Sequence, residues 1–394
     1  MLHDAMTAGP GLMHTPPCWI EVSLTALRHN FRTVHSFVQP DAVVCAVIKS
    51  DAYGHGAAAC ALALQEEGAK WFAVNTAEEG IALREGGIHG RILLLGGLWR
   101  GEEDEIVRYG LTPTVWDWNH IELLENAAER LKPKHAVAVH LKVNTGMNRL
   151  GVDLDDLKEM FSVIRSAPHI FLEGMFSHFA ASEMIDHPYG DQQLARFHEA
   201  LNKANHAGLT VPLRHMANSA AIVSRPKSWF NMVRPGLSLF GYYLPFVSVV
   251  TGTSDSSHEL PVKPALTWKT RVLQVRNVPA GQSVGYSGGY MTQSDTRVAV
   301  VPVGYGDGLN RQLSSRGRMI VRNDYAAMIG NVSMNLTALD VTGIPGVEVG
   351  DEVTIIGETE SRKITAWEQA NLASTIPYEI LCNLSARAPR TYLE

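Results

Sequence analysis

From residue 43 to residue 237 the apolar positions alternate between two rhythms. Short unbroken runs, such as Val43-Val44-Cys45-Ala46-Val47-Ile48, read as strands buried on both faces. Longer stretches with apolar residues at three- and four-residue steps read as helices that bury one side. Ahead of the first run, residues 18–23 alternate like a short strand. Ser23 then suits an N-cap, and Leu24, Leu27, Phe31, Val34 and Phe37 mark a helix of about four turns. Further strands are expected at 71–75, 91–95, 112–116, 136–143, 170–179, 213–217 and 232–237. Helices are expected over 56–67, 77–85, 102–109, 119–131, 154–164 and 191–207. Counted from Val43 there are eight strands, and each of the first six is followed by a helical pattern. Eight such units close most naturally into a parallel (β/α)8 TIM barrel ringed by helices, which makes the chain α/β.

Beyond residue 246 the pattern changes. Residues 246–264 are rich in Ser, Thr, Gly and Pro and read as a linker or long loop. After them the period becomes two, with strands expected at 266–275, 297–303, 317–322, 326–329, 336–341 and 352–356, separated by Gly or Pro turns. One late helix is expected over 364–373. The second half is therefore a mostly antiparallel C-terminal β domain. The expected division is an N-terminal strand within 1–22 that packs with the C-terminal domain, a barrel over 23–248, and the β domain over 249–394.

Composition narrows the function classes. The 394 residues are 45% hydrophobic and 19% charged, ordinary values for a globular enzyme long enough for two domains. A net charge of −6 leaves no basic excess to neutralise phosphates, so neither nucleic acid nor an anionic membrane is the expected partner. The amino terminus lacks a positive n-region and a sustained apolar stretch, and no run approaches membrane-spanning length, so a cytoplasmic location is expected. The four cysteines, Cys18, Cys45, Cys60 and Cys382, form no close-spaced pair. Neither a metal site nor a disulfide framework is indicated, and each is read as a small buried hydrophobe.

The candidate chemistry begins at Lys49, where the first barrel strand ends. In an alternating β/α chain the carboxyl ends of the strands carry the reactive groups, so a lysine there is a candidate nucleophile. The position equally suits a lysine that merely extends its stem over the core. His178, near the end of the sixth strand, lies on the same rim; taken alone it fits a hydrogen-bonded core histidine better than a catalytic one. The seventh and eighth strands run into His215-Met216-Ala217-Asn218-Ser219 and Arg234-Pro235-Gly236-Leu237. Loops at those two places are where barrels most often hold phosphate, and Ser219 and Gly236 fit that role. Locally, an N-cap at 218–219 and a Pro-Gly turn account for them equally well. No Gly-x-Gly-x-x-Gly, Walker loop or His-Glu-x-x-His is present. A phosphate-bearing cofactor joined to a strand-end lysine points to pyridoxal 5'-phosphate, whose aldehyde condenses with the amine and whose ring nitrogen needs a polar partner. Arg234 is the expected partner.

With these residues in place, the chain resembles the alanine racemases. Residues Ala46 to Gly56, with Lys49 in Val-Ile-Lys-Ser-Asp-Ala-Tyr-Gly-His-Gly, look like their cofactor-attachment signature. Collinear agreement continues through 142–151, 176–179, 234–236, 284–286, 303–308, 378–379 and 385–390. The resemblance implies an isomerase, a homodimer with shared active sites, interconverting L- and D-alanine and supplying D-alanine for peptidoglycan. Lys49 is implied to carry the cofactor and act as base on one face of the α-carbon, and Tyr286, from the other subunit, on the opposite face. A proton must leave one face and return to the other. A tyrosine at its reference pKa of about 10 is a poor base at neutral pH. The resemblance answers this with His178, bridging Tyr286 and Arg234. Tyr53, Ser219, Gly236, Leu237 and Tyr378 map onto phosphate contacts. Arg149, held by Lys142, and the Met334 backbone N–H map onto substrate binding, and Tyr305, Arg311 and Arg390 onto the mouth of the site, where each is as well explained as structural. The lysine at the Lys142 position is carbamylated (N6-carboxylysine) in many relatives, which would remove a like-charge conflict with Arg149.

Two departures bear on the site. The family's Cys-Met-Asp stands here as Ser333-Met334-Asn335, and Pro377 replaces a common Asn before Tyr378. The loss of a carboxylate at Asn335 makes a broad-specificity racemase, acting also on serine or lysine, an alternative. A pyridoxal-phosphate decarboxylase shares the architecture but lacks the Val-Gly-Tyr286 segment, and a non-enzymatic cofactor carrier stops near residue 240.

Overall fold

The computed structural model describes residues 17–394. Residues 1–16, which include most of the amino terminus and most of the segment assigned to an N-terminal strand, lie outside the described residues. Ser23 caps the first helix as expected: its side chain accepts from the Ala26 N–H at 3.1 Å, and Leu24–Val38 follows with Leu27, Phe31 and Val34 buried. Phe37 does not join that buried face. It is exposed and meets Trp229 edge-on at 5.5 Å.

The chain divides into two units, one of residues 22–266, 376–383 and 392–394, the other of the residues up to Glu21 with 267–375 and 384–391. In the first, eight strands close into a parallel barrel: Val43–Val47, Trp71–Val74, Arg91–Leu94, Thr112–Val115, Val137–Lys142, Ile170–Phe176, Leu213–Asn218 and Met232–Arg234. The ring closes where Val43 and Val44 pair with Met232 and Val233. Near-continuous apolar runs suit these strands because helices cover their outer faces and side chains fill the inside.

Four expectations need correction within the barrel. The sixth strand ends at Phe176: the Ser177 N–H makes the last bond of the ladder, to the His215 carbonyl, and the Ser177 carbonyl turns to the Arg234 guanidinium as the chain leaves to form a loop. The eighth ends at Arg234, because Pro235 cannot donate to a ladder, and Leu237–Phe240 is a 3-10 turn. The helix expected from residue 154 begins at Leu157, and the one expected from residue 191 begins at Pro188. Two short helices escaped the periodicity: Ser219–Ser224, capped by Asn218, and Pro377–Cys382, with proline at its first position, where a missing N–H is tolerated. Cys18, Cys45 and Cys60 are buried as read; Cys382, in the last turn of that helix, is exposed.

The second unit is built on a ten-stranded sheet in which Cys18–Ser23 lies between Leu266–Arg271 and Arg390–Leu393. The run expected as one strand over 266–275 is two. Leu266–Arg271 pairs with Glu352–Glu358, and Gln274–Val278 pairs antiparallel with Thr296–Val301. The break needs no Gly or Pro: the N–H groups of Val272 and Leu273 turn to Asp351 and Val300. Arg318–Val321, Asp324–Ile329 and Thr337–Asp340 complete an antiparallel order, and the helix Ala366–Leu372 follows. Among the described residues no helix is long and apolar enough to cross a membrane.

Candidate active site

At the carboxyl end of the barrel a cavity of about 670 Å³ opens beside Lys49. Strand ends set its floor, and an unusual turn sets the lysine. Immediately after Lys49, residues Ser50, Asp51, Ala52 and Tyr53 all take left-handed backbone angles, with φ between 53 and 54°. For L-residues that conformation costs about 1–2 kcal/mol each, so it persists only where neighbours impose it. Glu79 supplies part of that constraint, accepting from the Ser50 N–H at 2.5 Å through one oxygen and from the Asn75 N–H at 2.6 Å through the other. Asp51 supplies the rest, its carbonyl taking the Gly56 N–H and its side chain the Ala57 N–H. The turn thus runs straight into the alanine-rich helix Ala57–Glu66 and carries Tyr53 inward.

Tyr53 is buried, with its ring 5.1 Å from Phe240 and 5.8 Å from Tyr378. A Cβ at position 236 would fall 2.5 Å from the Tyr53 hydroxyl, so this backbone must be glycine to let the phenol approach. The Ser219 hydroxyl oxygen gathers the Gly236 N–H (2.9 Å), the Ser238 N–H (3.2 Å) and the Ser238 hydroxyl (3.1 Å). Small residues, backbone N–H groups and two phenols therefore line one end of the cavity, the composition that holds a phosphate.

Cations dominate the other end. Lys49, Lys142, Arg149 and Arg234 line the cavity, against Glu183 as its one lining carboxylate. Among the described residues neither Lys49 nor Lys142 has an ion-pair partner. Burial and the charge of Arg149 pull Lys49 below its ordinary pKa. Burial, then Arg149, Arg234 and Lys49, bring Lys142 down to about 8. Arg149 lies among exposed residues of the loop and makes no hydrogen bond to Lys142, so the expected hold of one on the other is absent with a free amine, as two cations cannot donate to each other.

Arg234 is almost completely buried, and desolvation lowers its pKa to about 10. Its guanidinium donates to the Ser177 carbonyl at 2.9 Å and to His215 Nδ1 at 2.5 Å, and it lies 3.3 Å from His178 Nδ1. Its Nε–H keeps no partner among the described residues. Burial and the surrounding cations hold His178 well below its ordinary pKa, so its imidazole is neutral. Gln193, from the helix Pro188–His206, fixes this corner. It donates to the His178 carbonyl (3.0 Å) and to the Thr145 hydroxyl (3.3 Å), and accepts from the Ala180 N–H (3.0 Å). Thr145 in turn meets Ser177 at 2.7 Å, and Ser177 donates to the Val143 carbonyl. Nothing in the sequence drew attention to Gln193, His140 or His215 as site residues; strand or helix periodicity does not say which residues meet across a barrel.

Ten of the expected site residues thus line one cavity: Lys49, Tyr53, Lys142, Arg149, His178, Ser219, Arg234, Gly236, Leu237 and Tyr378. The other two, Tyr286 and Met334, belong to the β unit, where they are 72% and 58% exposed. Tyr286 opens a 3-10 turn after Gly285, and its carbonyl accepts from the Asn331 side chain at 3.0 Å. The Met334 carbonyl takes the Gly306 N–H at 2.8 Å, and Asn335 donates to Asp307 at 3.3 Å. Arg390 donates to the carbonyls of Ser385 and Ala388, which fastens the carboxyl-terminal segment on itself. Tyr305 and Arg311 are exposed in the same unit.

Comparison with known proteins follows the same division. The family model "Alanine racemase, N-terminal domain" matches residues 22–244, and "Alanine racemase, C-terminal domain" matches residues 265–392. The chain belongs to the alanine racemase family. It is 38% identical over 378 residues to alanine racemase 2 of Caldanaerobacter subterraneus subsp. tengcongensis, spanning 96% of this chain and 95% of that one. Among solved structures it is similar to the alanine racemase of the D-cycloserine producer Streptomyces lavendulae, with TM-score 0.88, 34% identity and coverage of 97% and 98%. The Bartonella henselae alanine racemase, solved with covalently bound pyridoxal phosphate, gives TM-score 0.83 at 28% identity, covering 96% and 100%.

The cavity suits such a cofactor on its own terms. A cluster of four cations with one carboxylate asks for a polyanion. An amine with depressed pKa at a strand end can condense with an aldehyde, and the free Nε–H of an otherwise satisfied guanidinium can face a ring nitrogen that accepts.

Proposed function

We propose that this protein interconverts L-alanine and D-alanine with pyridoxal 5'-phosphate, carried by Lys49 and held at its phosphate by Tyr53, Ser219, Gly236, Leu237 and Tyr378. The observation that carries the reading is the cation-lined cavity around a strand-end lysine with lowered pKa. Bound pyridoxal phosphate supplies an electron sink for a carbanion at the substrate α-carbon.

Lys49, largely desolvated, takes or returns the α-proton on one face. Tyr286 of the partner subunit serves the opposite face, in a homodimer whose sites draw on both copies. Arg149 and the Met334 N–H bind the substrate carboxylate. His178, neutral and 3.3 Å from Arg234, links that guanidinium toward the Tyr286 phenol. Arg234 presents a donor and cannot accept a ring proton, which keeps the sink weak and favours reprotonation at the α-carbon over transfer of the amino group. A carbamate on Lys142 would place a negative charge beside Arg149. A role in supplying D-alanine to peptidoglycan and a cytoplasmic setting accord with this chemistry.

The second matched domain, over 265–392, runs well past the point where a cofactor carrier would end. Asn335, which donates to Asp307, is the feature to weigh for broader specificity. The deciding experiment incubates the yellow holoenzyme with L-alanine, L-serine and L-lysine and follows formation of each D-enantiomer by chiral chromatography. Efficient turnover of alanine, lost in Lys49→Ala, is expected. Turnover of serine or lysine at the rate of alanine would replace the alanine-specific reading, and a colourless protein unable to take up the cofactor would overturn it.

A further inference from the structure

Below Arg234, inside the barrel, two histidines are left without a part in the reaction as described. His140 and His215 are both fully buried, and burial pushes each below its ordinary pKa. His140 Nδ1 lies 2.8 Å from His215 Nε2, and His215 Nδ1 lies 2.5 Å from Arg234 Nη1. Phe176 stacks on His215 at 4.8 Å, nearly parallel. At the far end, His140 Nε2 makes no hydrogen bond among the described residues and lies 3.6 Å from Glu173 Oε2, a charge contact longer than a hydrogen bond, and Glu173 is paired with Arg91, which also lies over Trp71. The strand gives way for this arrangement: a Cβ at Gly174 would come within 2.6 Å of the His140 ring.

The protons along the chain follow from one fact. A guanidinium only donates. His215 Nδ1 must then accept, which leaves its proton on Nε2. That N–H donates to His140 Nδ1, so His140 carries its proton on Nε2, the atom facing the Glu173 carboxylate. Protonating either ring would set two donors against each other. Every hydrogen therefore points the same way, from a buried cation toward an anion at the other end of the strand layer, and such aligned chains polarise one another in a low-dielectric interior.

We propose that Glu173, with its partner Arg91, is a remote positioning residue: through two neutral imidazoles its charge keeps His215 Nδ1 a strong acceptor and so holds Arg234 protonated with its free donor turned to the cavity. This rests on the reading above that Arg234 faces the cofactor ring nitrogen. Removing the carboxylate weakens each acceptor in turn and makes Arg234 a readier proton donor to that nitrogen. The amino group then stays on the cofactor more often, with pyruvate released in place of racemised alanine.

The isosteric variant Glu173→Gln tests this without touching the buried rings. In holoenzyme labelled with 15N-histidine, two imidazoles are expected as the Nε2–H form that do not titrate across the neutral range. E173Q should leave both rings in that tautomer and raise pyruvate released per alanine racemised several-fold at unchanged cofactor content. A proton on Nδ1 of either ring, or an E173Q partition ratio equal to the parent's, overturns the proposal, the second result even if kcat falls. Should the parent take up no pyridoxal phosphate, the cofactor reading fails, and the tautomer pattern read on the cofactor-free chain still decides the relay.

Discussion

Lys142 shows how much one side chain can ask of its surroundings. Its amine is buried beside three other cations and its pKa falls from 10.5 to about 8. Between those values the unfolded chain binds the proton that the folded chain has released, so stability rises with pH across that window. The penalty is fully present below about pH 8 and amounts to roughly 3 kcal/mol. A carbamate, formed by the neutral amine with CO2, would abolish it and give Arg149 an anionic neighbour. Thermal unfolding at pH 7 should therefore occur several degrees lower in CO2-free buffer than in bicarbonate. In Lys142→Met the difference should vanish. Equal melting temperatures for the parent in both buffers would refute the modification. The sequence alone could point to the conflict only through its resemblance to a family; the physical cause became visible once Lys49 and Arg234 were found beside the same amine.

Among the elements, the barrel strands were legible because each is a short apolar run with its boundary at a polar or turn residue, and burial on both faces demands that pattern. What escaped was set by partners distant in sequence. Ser50-Asp51-Ala52-Tyr53 carries no glycine to announce a left-handed turn; Glu79 imposes part of it from the helix Ala77–Glu85. The split of residues 266–275 follows from two different neighbouring strands, Glu352–Glu358 and Thr296–Val301. Gln193 belongs with these, as one side chain of a long helix that ties together the loops after two strands. Gln193→Ala leaves the His178 carbonyl and Ala180 N–H without their partner, at about 1–3 kcal/mol of stability. The loops bearing Arg149 and His178 would then loosen together. Tenfold or greater loss of kcat/KM is expected, on the order of what small misplacement of positioned groups produces, with Gln193→Glu, which keeps the acceptor for Ala180, in between. A melting temperature that drops while kcat/KM holds would confine Gln193 to a structural role.

At the scale of the whole molecule, the two proposed bases lie on different units of the chain, Lys49 on the barrel and Tyr286 on the β unit. Tyr286 is 72% exposed, and a proton-transfer group must be withdrawn from water and set against the α-carbon to work. In a two-fold dimer whose sites are shared, each Lys49 faces the Tyr286 of the partner subunit. Mixed dimers distinguish this from a site built within one chain. Lys49→Ala and Tyr286→Phe are each expected to be nearly inactive alone. When the two are unfolded and refolded together, about half the dimers are mixed. In a mixed dimer with shared sites, one site combines the intact lysine of one copy with the intact tyrosine of the other, and the second site lacks both. About a quarter of parental activity per site should therefore return, since one of two sites works in half the dimers. If both bases came from the same chain, every site in the mixture would lack one of them and no activity would return. Recovery near a quarter, measured against refolded parent at equal cofactor content, supports the shared site; recovery at background removes it.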